Sequence, residues 1–423
     1  MKKYAVIGGG PAGAVAAETL RKLDEESEMT VVTDERYPFY RREHIAGLIS
    51  GDETEEGLFE KGKDFYERID ARLVTGRVIG VFTGKNQLAL SDGSRIGYDS
   101  LLIASGAKPV LLHSQGAELE GVSTLYTLDV VKKVSNLVTQ ANKVLVVGGG
   151  TVAMKLVPML RRIGLNVWLI EKADRLWPAM FDKKASEIVE NRLKHEGVEV
   201  LLNEEVIELK GGYGKIESVS LKSQRTLPCD LLLLTMGIQP NIDFLNGSGI
   251  EVDLGVVVDR HLRTNIANIY AAGDVAQVPD PLYEAPVLHP TWAYAEEQGE
   301  IAAYNMAGLE REYQGAVPLF SLSLYGIGIV TAGITQPQAN FQELSRFSPY
   351  EGLYRKFVLR GNRLVGAILI GKGLDRKLLK PRVKKVLLNM ADVGTTKADL
   401  LKEDFDFGLL VKQAENSLTP SSV

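Results

Sequence analysis

Two glycine-rich turns and the acids that follow them are the residues here whose types and spacing can do chemistry. GGGPAG sets glycines at Gly8, Gly10 and Gly13, and GGGTVA sets Gly148 and Gly150 with Ala153 in third place. That spacing suits a dinucleotide pyrophosphate. The first glycine allows a tight turn and the second lets backbone approach the phosphates. The third lets the helix pack on its strand, where a methyl group still fits. Each turn is followed by an apolar run ending in acid, Asp34 and Glu35 in one case and Glu171 in the other. A carboxylate at that point accepts a hydrogen bond from a ribose hydroxyl. At Glu171 it also repels a 2′-phosphate, so the second site favours NADH over NADPH, a preference tempered by nearby Lys172 and Arg175.

The elements that must hold these residues come twice. KKYAVIGGGPAGAVAAETLRKL reads as strand, turn and Ala-rich helix, followed by a second strand, MTVVTDE. From Lys143 the order recurs, with VLVVGGG, a helix to Arg162, and NVWLIE. An internal duplication explains the pair. LLIASGAKP and DLLLLTMGIQPN are further strands of similar pattern, and ANIYAAGDVA is a strand ending in Gly273-Asp274. After Gly315, alternating runs such as SLSLYGIGIVTAG and RKFVLRGNRLVGAILIG predict antiparallel strands. The expected fold is α/β, with two Rossmann-like dinucleotide-binding domains and a C-terminal α+β interface domain. The expected boundaries are residues 1–112 with 243–314, then 113–242, then 315–423, and the closing NSLTPSSV is expected to fray.

Composition narrows the function. With 45% hydrophobic and 24% charged residues, the 423-residue chain reads as a soluble globular protein of about three domains. A net charge of −5 and no long basic cluster argue against nucleic acid. No apolar run reaches membrane-span length, and three glycines cut short the run after the first lysines, so the start reads as a buried strand. The single cysteine, Cys229, excludes an internal disulfide, a redox dithiol and an iron–sulfur cluster held by this chain alone. Five scattered histidines show no metal-ligand spacing, so no metal is expected, and the cytoplasm is the expected compartment.

Gly273-Asp274 at a strand end suits a long flavin ligand, with Asp274 accepting from a ribityl or pyrophosphate-proximal hydroxyl. In order, GGGPAG, YPFYRREHIAGLISG, LLIASGAKP, GGGTVA, EKADRLWP, LLLLTMGIQPN, RTNIANIYAAGDVA and EEQGEIAAYNMAG cover most of residues 1–330. Together they resemble the pyridine nucleotide–disulfide oxidoreductase superfamily. The likeness is to the branch without a redox disulfide, which includes NADH:rubredoxin reductases, ferredoxin reductases and the flavin portion of nitrite reductases. The resemblance implies FAD along Gly8, Gly10, Gly13, Asp34, Arg42, Gly106, Gly273 and Asp274, with Pro11, Ala12, Glu35, Ala104 and Ser105 beside them. It implies that the Val78 backbone meets the adenine, and that the helix opened by HPTWAYAEEQG points at the flavin, with Trp292 or its neighbours close to the ring; Trp292 reads equally as an aromatic packed at a domain junction. For NADH it implies Gly148, Gly150, Thr151, Val152, Glu171 and Gly237.

Three departures stand out. Relatives often carry glutamate where this chain has Lys155, and a lysine near flavin N5 where this chain reads Arg42, Glu43 and His44. Lys155 opposed to Glu43 would keep a charge pair across the flavin, which makes these two the candidate catalytic residues. Pro158 falls about two turns into the second helix and costs roughly 3 kcal/mol unless the helix kinks. No cysteine lies in the segments where disulfide reductases keep theirs, so Cys229 reads as a structural thiol and electrons must leave the flavin directly. The resemblance implies NADH oxidation through FAD, with electrons passed to a separate ferredoxin or rubredoxin. Rival readings are a flavin subunit of a larger electron-transfer assembly with an impaired nicotinamide site, and a cysteine-less NADH oxidase. The C-terminal segment resembles the family's interface domain, which covers the flavin and often helps make a homodimer, and it presents Tyr325, read either near the flavin or as a core tyrosine. Lys380, Arg382, Lys384 and Lys385 read either as a dock for an acidic carrier or as a solvated helix face.

Overall fold

The computed structural model describes residues 1–337, 339–349 and 352–418, with side chains described to residue 412. Of the expected frayed tail, residues 416–418 close the last helix and 419–423 lie outside the described residues. In chain order, strand β1 (Lys3–Ile7), helix α1 (Pro11–Leu23) and strand β2 (Glu28–Thr33) open the chain, and β3 (Ser100–Ile103) follows. The unit repeats as β4 (Lys143–Val147), α2 (Thr151–Arg162) and β5 (Asn166–Glu171), then helix α3 (Lys183–His195) and strand β6 (Leu231–Leu234). Strand β7 (Ile269–Ala271) and helix α4 (Trp292–Met306) come next. Five strands complete the chain, β8 (Leu319–Leu324), β9 (Ile327–Gly333), β10 (Gln342–Ser348), β11 (Leu353–Arg360) and β12 (Arg363–Lys372), with helix α5 (Arg376–Leu388) after them.

These elements form two compact units. The first takes Met1–Pro109, Tyr126–Leu128 and Ile238–Ala316, and the second takes Val110–Leu125, Asp129–Gly237 and the chain from Val317 on. The first unit is built on a parallel sheet ordered β7-β3-β1-β2 and completed by Arg72–Thr75. Its strands are buried on both faces, which is why they read as unbroken apolar runs. Helix α1 lays Ala12, Ala14, Ala16, Ala17 and Leu20 inward. Alanines on that face allow close helix packing, and Gly299 of α4 takes advantage of it. A Cβ at Gly299 would overlap the carbonyl of Ala12.

The second unit carries a parallel sheet ordered Glu199–Leu202, β5, β4, β6 and Val122–Ser123. Pro158 does not end helix α2, which runs on to Arg162. The same unit holds the antiparallel sheet β8-β9-β12-β11-β10, with the strand pairing expected from the alternating runs. The fold is thus α/β with two Rossmann-like sheets and a C-terminal sheet domain. No helix among the described residues is long and apolar enough to cross a membrane.

Replacing Gly299 by alanine forces α4 away from backbone that cannot yield. The expected cost is about 1–3 kcal/mol, read as a lower denaturant midpoint for Gly299→Ala at unchanged slope.

Candidate functional site

In the first unit the ends of three adjacent strands converge. Gly8 follows β1 with φ +113°, donates its N–H to Val32 O (2.7 Å), and leaves no room for a Cβ against the Ala104 carbonyl. Ala104, Ser105 and Gly106 follow β3, and Gly273 (φ +81°) and Asp274 follow β7. A Cβ on Gly10 would meet nothing within 4 Å. Gly10 caps α1 without a side-chain hydrogen bond, Pro11 takes the first helical position, and no acid lies in the first turn. Gly13 packs its Cα against Gly8, as the third glycine of the motif must. Backbone donors at an uncapped helix start beside open space suit the pyrophosphate of a dinucleotide, so these residues fit FAD.

Around this cradle the structure adds residues that sequence reasoning missed. Gln298, fully buried on α4, accepts the Gly273 N–H at 2.8 Å. Asn241 is bonded to Ser105 through both its side chain and its carbonyl, each at 2.9 Å, and donates its N–H to Gly106 O. Single polar residues in EEQGE and GIQPN carry no spacing that would expose these roles. Asp274 is raised to about 6, chiefly by burial, with Arg42 working the other way. Val78 is buried at the start of the small sheet Val78–Phe82, Gln87–Leu90 and Arg95–Gly97. Trp292 opens α4, rests on Phe39 at 5.6 Å and donates to Glu296 at 2.8 Å.

The acids after β2 behave differently from Glu171. By strand register Ile7 pairs Val32 and Val147 pairs Ile170, so Thr33 holds the place that Glu171 holds in the second sheet. Asp34 is exposed, and Glu35 pairs with Arg42 and accepts from Tyr40 at 2.6 Å. Arg42 also donates to Tyr126 O at 2.6 Å and lies over the Tyr126 ring. Burial works against its charge, but Tyr40, Glu35 and Tyr126 together raise its pKa above the usual value. Arg42 is therefore a fixed cation beside Asp274.

The second unit repeats the cradle. Gly148 (φ +100°) donates to Ile170 O at 2.8 Å, and a Cβ there would stand 2.5 Å from Thr235 O. Thr235, also missed in the sequence, donates to Gly148 O at 2.8 Å. Gly150 caps α2 with no side-chain bond and no acid in the first turn, Ala153 is buried, and Thr151 and Val152 are exposed. Gly237, with φ +105° and open space beside it, lies in the turn after β6. Glu171 accepts from Gly149 N (2.7 Å) and Ala173 N (2.8 Å), which fixes its carboxylate beside the turn. Lys172 is paired to Glu205 at 2.9 Å, and Arg175 to Asp174 at 2.7 Å.

The two candidate catalytic residues lie in different units. Glu43 lies 3.3 Å from Arg41 and 3.4 Å from His44 on the short turn Arg42–His44. Lys155 is exposed on α2, with no hydrogen bond or ion pair among the described residues. Cys229 is buried in the core of the second unit, which pushes its thiol up to about 12. Tyr325 is half-buried below Arg192 of α3, and burial raises its pKa. Of the basic residues on α5, Arg382 pairs with Asp406 at 2.5 Å, and Lys380 and Lys385 are exposed. Among the described residues no group of acids, cysteines and histidines could hold a metal ion.

Two glycine cradles on parallel sheets, one of them beside the Asp274 carboxyl, define the frame of a two-dinucleotide-binding protein. Residues 2–299 match the pyridine nucleotide-disulphide oxidoreductase family, and the chain belongs to it. Residues 318–385 match the rubredoxin NAD+ reductase C-terminal domain. The chain is 28% identical over 398 residues to a nitrite reductase (NAD(P)H) of Bacillus subtilis, covering 93% of this chain and 48% of that protein, so it spans about half that relative's length. It is 28% identical to the 3-phenylpropionate/cinnamic acid dioxygenase ferredoxin–NAD(+) reductase component of Photorhabdus laumondii, over 92% of this chain and 97% of that protein. The fold is also that of putidaredoxin reductase in its covalent complex with putidaredoxin, with a TM-score of 0.88 and 23% identity over 98% of this chain and 99% of that one. The chain is a member of this family, and the family match supports FAD and a nicotinamide nucleotide as its cofactors.

Asp274 supplies a pH test. A carboxyl whose folded pKa stands above its unfolded value stabilises the protein below about pH 4, and that contribution is lost as pH rises through about 6. Flavin-stripped protein should lose up to about 3 kcal/mol over this window. Asp274→Asn should flatten the curve, as read by denaturation midpoints against pH.

Proposed function

We propose that the protein oxidises NADH at the second site and passes the electrons, through FAD at the first, to a small ferredoxin- or rubredoxin-like protein in the cytoplasm. The division of labour follows the sequence boundaries, with flavin held by residues 1–112 and 243–314, the nicotinamide nucleotide by 113–242, and a covering or dimer-forming role for 315–423. The burial of Cys229 carries the reading. Its thiol is a core group held un-ionised, so no cysteine relays electrons away from the flavin. The chemistry FAD supplies when bound is to take two electrons from NADH and release them one at a time. This chain's residues bind and orient. Backbone donors of α1 and α2 hold pyrophosphates, Glu171 selects an unphosphorylated ribose, and Arg42 and Asp274 fix the flavin tail. The ferredoxin–NAD(+) reductase relative and the rubredoxin reductase domain match support a redox-protein acceptor.

With NADH in excess and oxygen removed, the holoprotein should reduce a plant-type ferredoxin or a rubredoxin at many turnovers per minute, followed by their visible spectra. Fast oxygen consumption with no transfer to either carrier would favour the oxidase alternative. Failure of NADH to drive either reaction would favour a flavin subunit fed by another protein.

Lys155 and Glu43 remain the proposed catalytic residues. A cation near reduced flavin stabilises its negative charge, so Lys155→Glu should lower the flavin midpoint potential by roughly tens of millivolts. An unchanged potential together with unchanged flavin affinity would remove Lys155 from the mechanism.

A further inference from the structure

The segment between β5 and α3 forms a wall of the second glycine turn. A Cβ on Gly149 would stand 2.8 Å from Leu176 Cδ2, and one on Gly150 would stand 4.0 Å from Trp177 Cδ1. Trp177 is an unusual residue for this place. Its φ of +42° is left-handed, a conformation that costs an L side chain energy and persists only when its surroundings hold it. The local chain supplies part of that hold, with Met180 N and Phe181 N donating to Trp177 O at 3.0 and 2.9 Å. The indole also meets Phe181 edge-on at 5.2 Å.

The rest comes from far along the chain. Phe320 of β8 meets the Trp177 indole at 4.5 Å and 85°. Thr331 of β9 donates to Met180 O at 3.3 Å, and Thr335 donates to Ala179 O at 3.4 Å. Asp182 caps α3 through Ala185 N at 2.9 Å. The same carboxylate accepts from Tyr354 of β11 at 2.5 Å and from the buried Lys356 of the same strand at 3.1 Å. Lys356 is in turn paired with Glu343 of β10 at 2.9 Å. Three strands of the C-terminal sheet, β8, β9 and β11, therefore grip one short segment whose other side faces the glycine turn.

We propose that the C-terminal sheet positions the nicotinamide-nucleotide site, with Phe320, Tyr354 and Lys356 holding Trp177 as a wall against the pyrophosphate end of the second glycine turn. This rests on the NADH reading of that turn. Trp177 touches the ligand's space, and the three sheet residues are positioning residues that act through it. Loosening the grip lets the wall swing, which weakens nucleotide binding without altering the reacting rings. The effect is therefore on affinity and not on the rate of flavin reduction at saturation.

The test uses the FAD-loaded protein. NAD+ is titrated against tryptophan emission, and anaerobic flavin reduction is followed across NADH concentrations. Phe320→Leu is expected to raise Kd for NAD+ and the half-saturating NADH concentration about three- to tenfold, with the limiting reduction rate and flavin content unchanged. Trp177→Leu is expected to weaken binding similarly, and the double variant to be no worse than Trp177→Leu alone. If Phe320→Leu does not fold, Tyr354→Phe, which loses only its hydroxyl on Asp182, carries the same expectation. Unchanged affinity in folded variants, or additive losses in the double variant, overturns the inference while the NADH reading stands. Absence of NAD+ binding and of NADH reduction in the unmodified protein overturns both.

Discussion

The constraint on which the rest depends is backbone passing within contact of backbone at the end of a strand. At Gly8 the chain turns left-handed beside the Ala104 carbonyl, and at Gly148 it does so beside Thr235. Only a residue without a Cβ fits either place. That close passage aims α1 and α2 so that their first N–H groups face open space above the sheet. In the first unit the ends of β3 and β7 border that space, and in the second the end of β6 does. Pyrophosphate recognition by main chain follows from this geometry, and the side chains then decide which nucleotide is held.

The two halves share the turn and differ in how they use charge. In the second, Glu171 is bonded to the turn itself, and the cations near it are paired with other acids. In the first, the equivalent strand position is Thr33, and Glu35 serves as counter-ion to Arg42. A carboxylate fixed at the turn is the group that, in the proposed reading, disfavours an extra phosphate on the nucleotide. A fixed guanidinium beside a buried carboxyl suits the long tail of a flavin. Duplication explains the common frame, and the two halves diverge in a few charged residues around it.

Much of this was legible in the sequence because glycine spacing and apolar runs encode backbone geometry directly. The strands at Lys3, Lys143 and Asn166, the helix running to Arg162 and the antiparallel C-terminal pairs all follow from period and punctuation. Pro158 reads as a threat to α2, yet the helix carries it, and the helix start that meets the nucleotide lies a full turn or more before it. What stayed hidden depends on contacts between distant residues. Gln298 on Gly273, Asn241 on Ser105 and Thr235 on Gly148 are lone polar residues with no periodic signature. Whether Asp34 or Glu35 faces a ribose could not be read either, because one residue of register separates strand end from loop. The hold on Trp177 by β8, β9 and β11 joins parts of the chain well over a hundred residues apart.

The proposed NADH oxidation requires that the second glycine turn, despite Ala153, Lys155 and Pro158, still holds the nucleotide. Rapid anaerobic mixing of the yellow holoprotein with NADH, and separately with NADPH, tests it through the flavin absorbance. Fast bleaching by NADH and much slower bleaching by NADPH are expected. A flavin that dithionite reduces but neither nucleotide bleaches would contradict it.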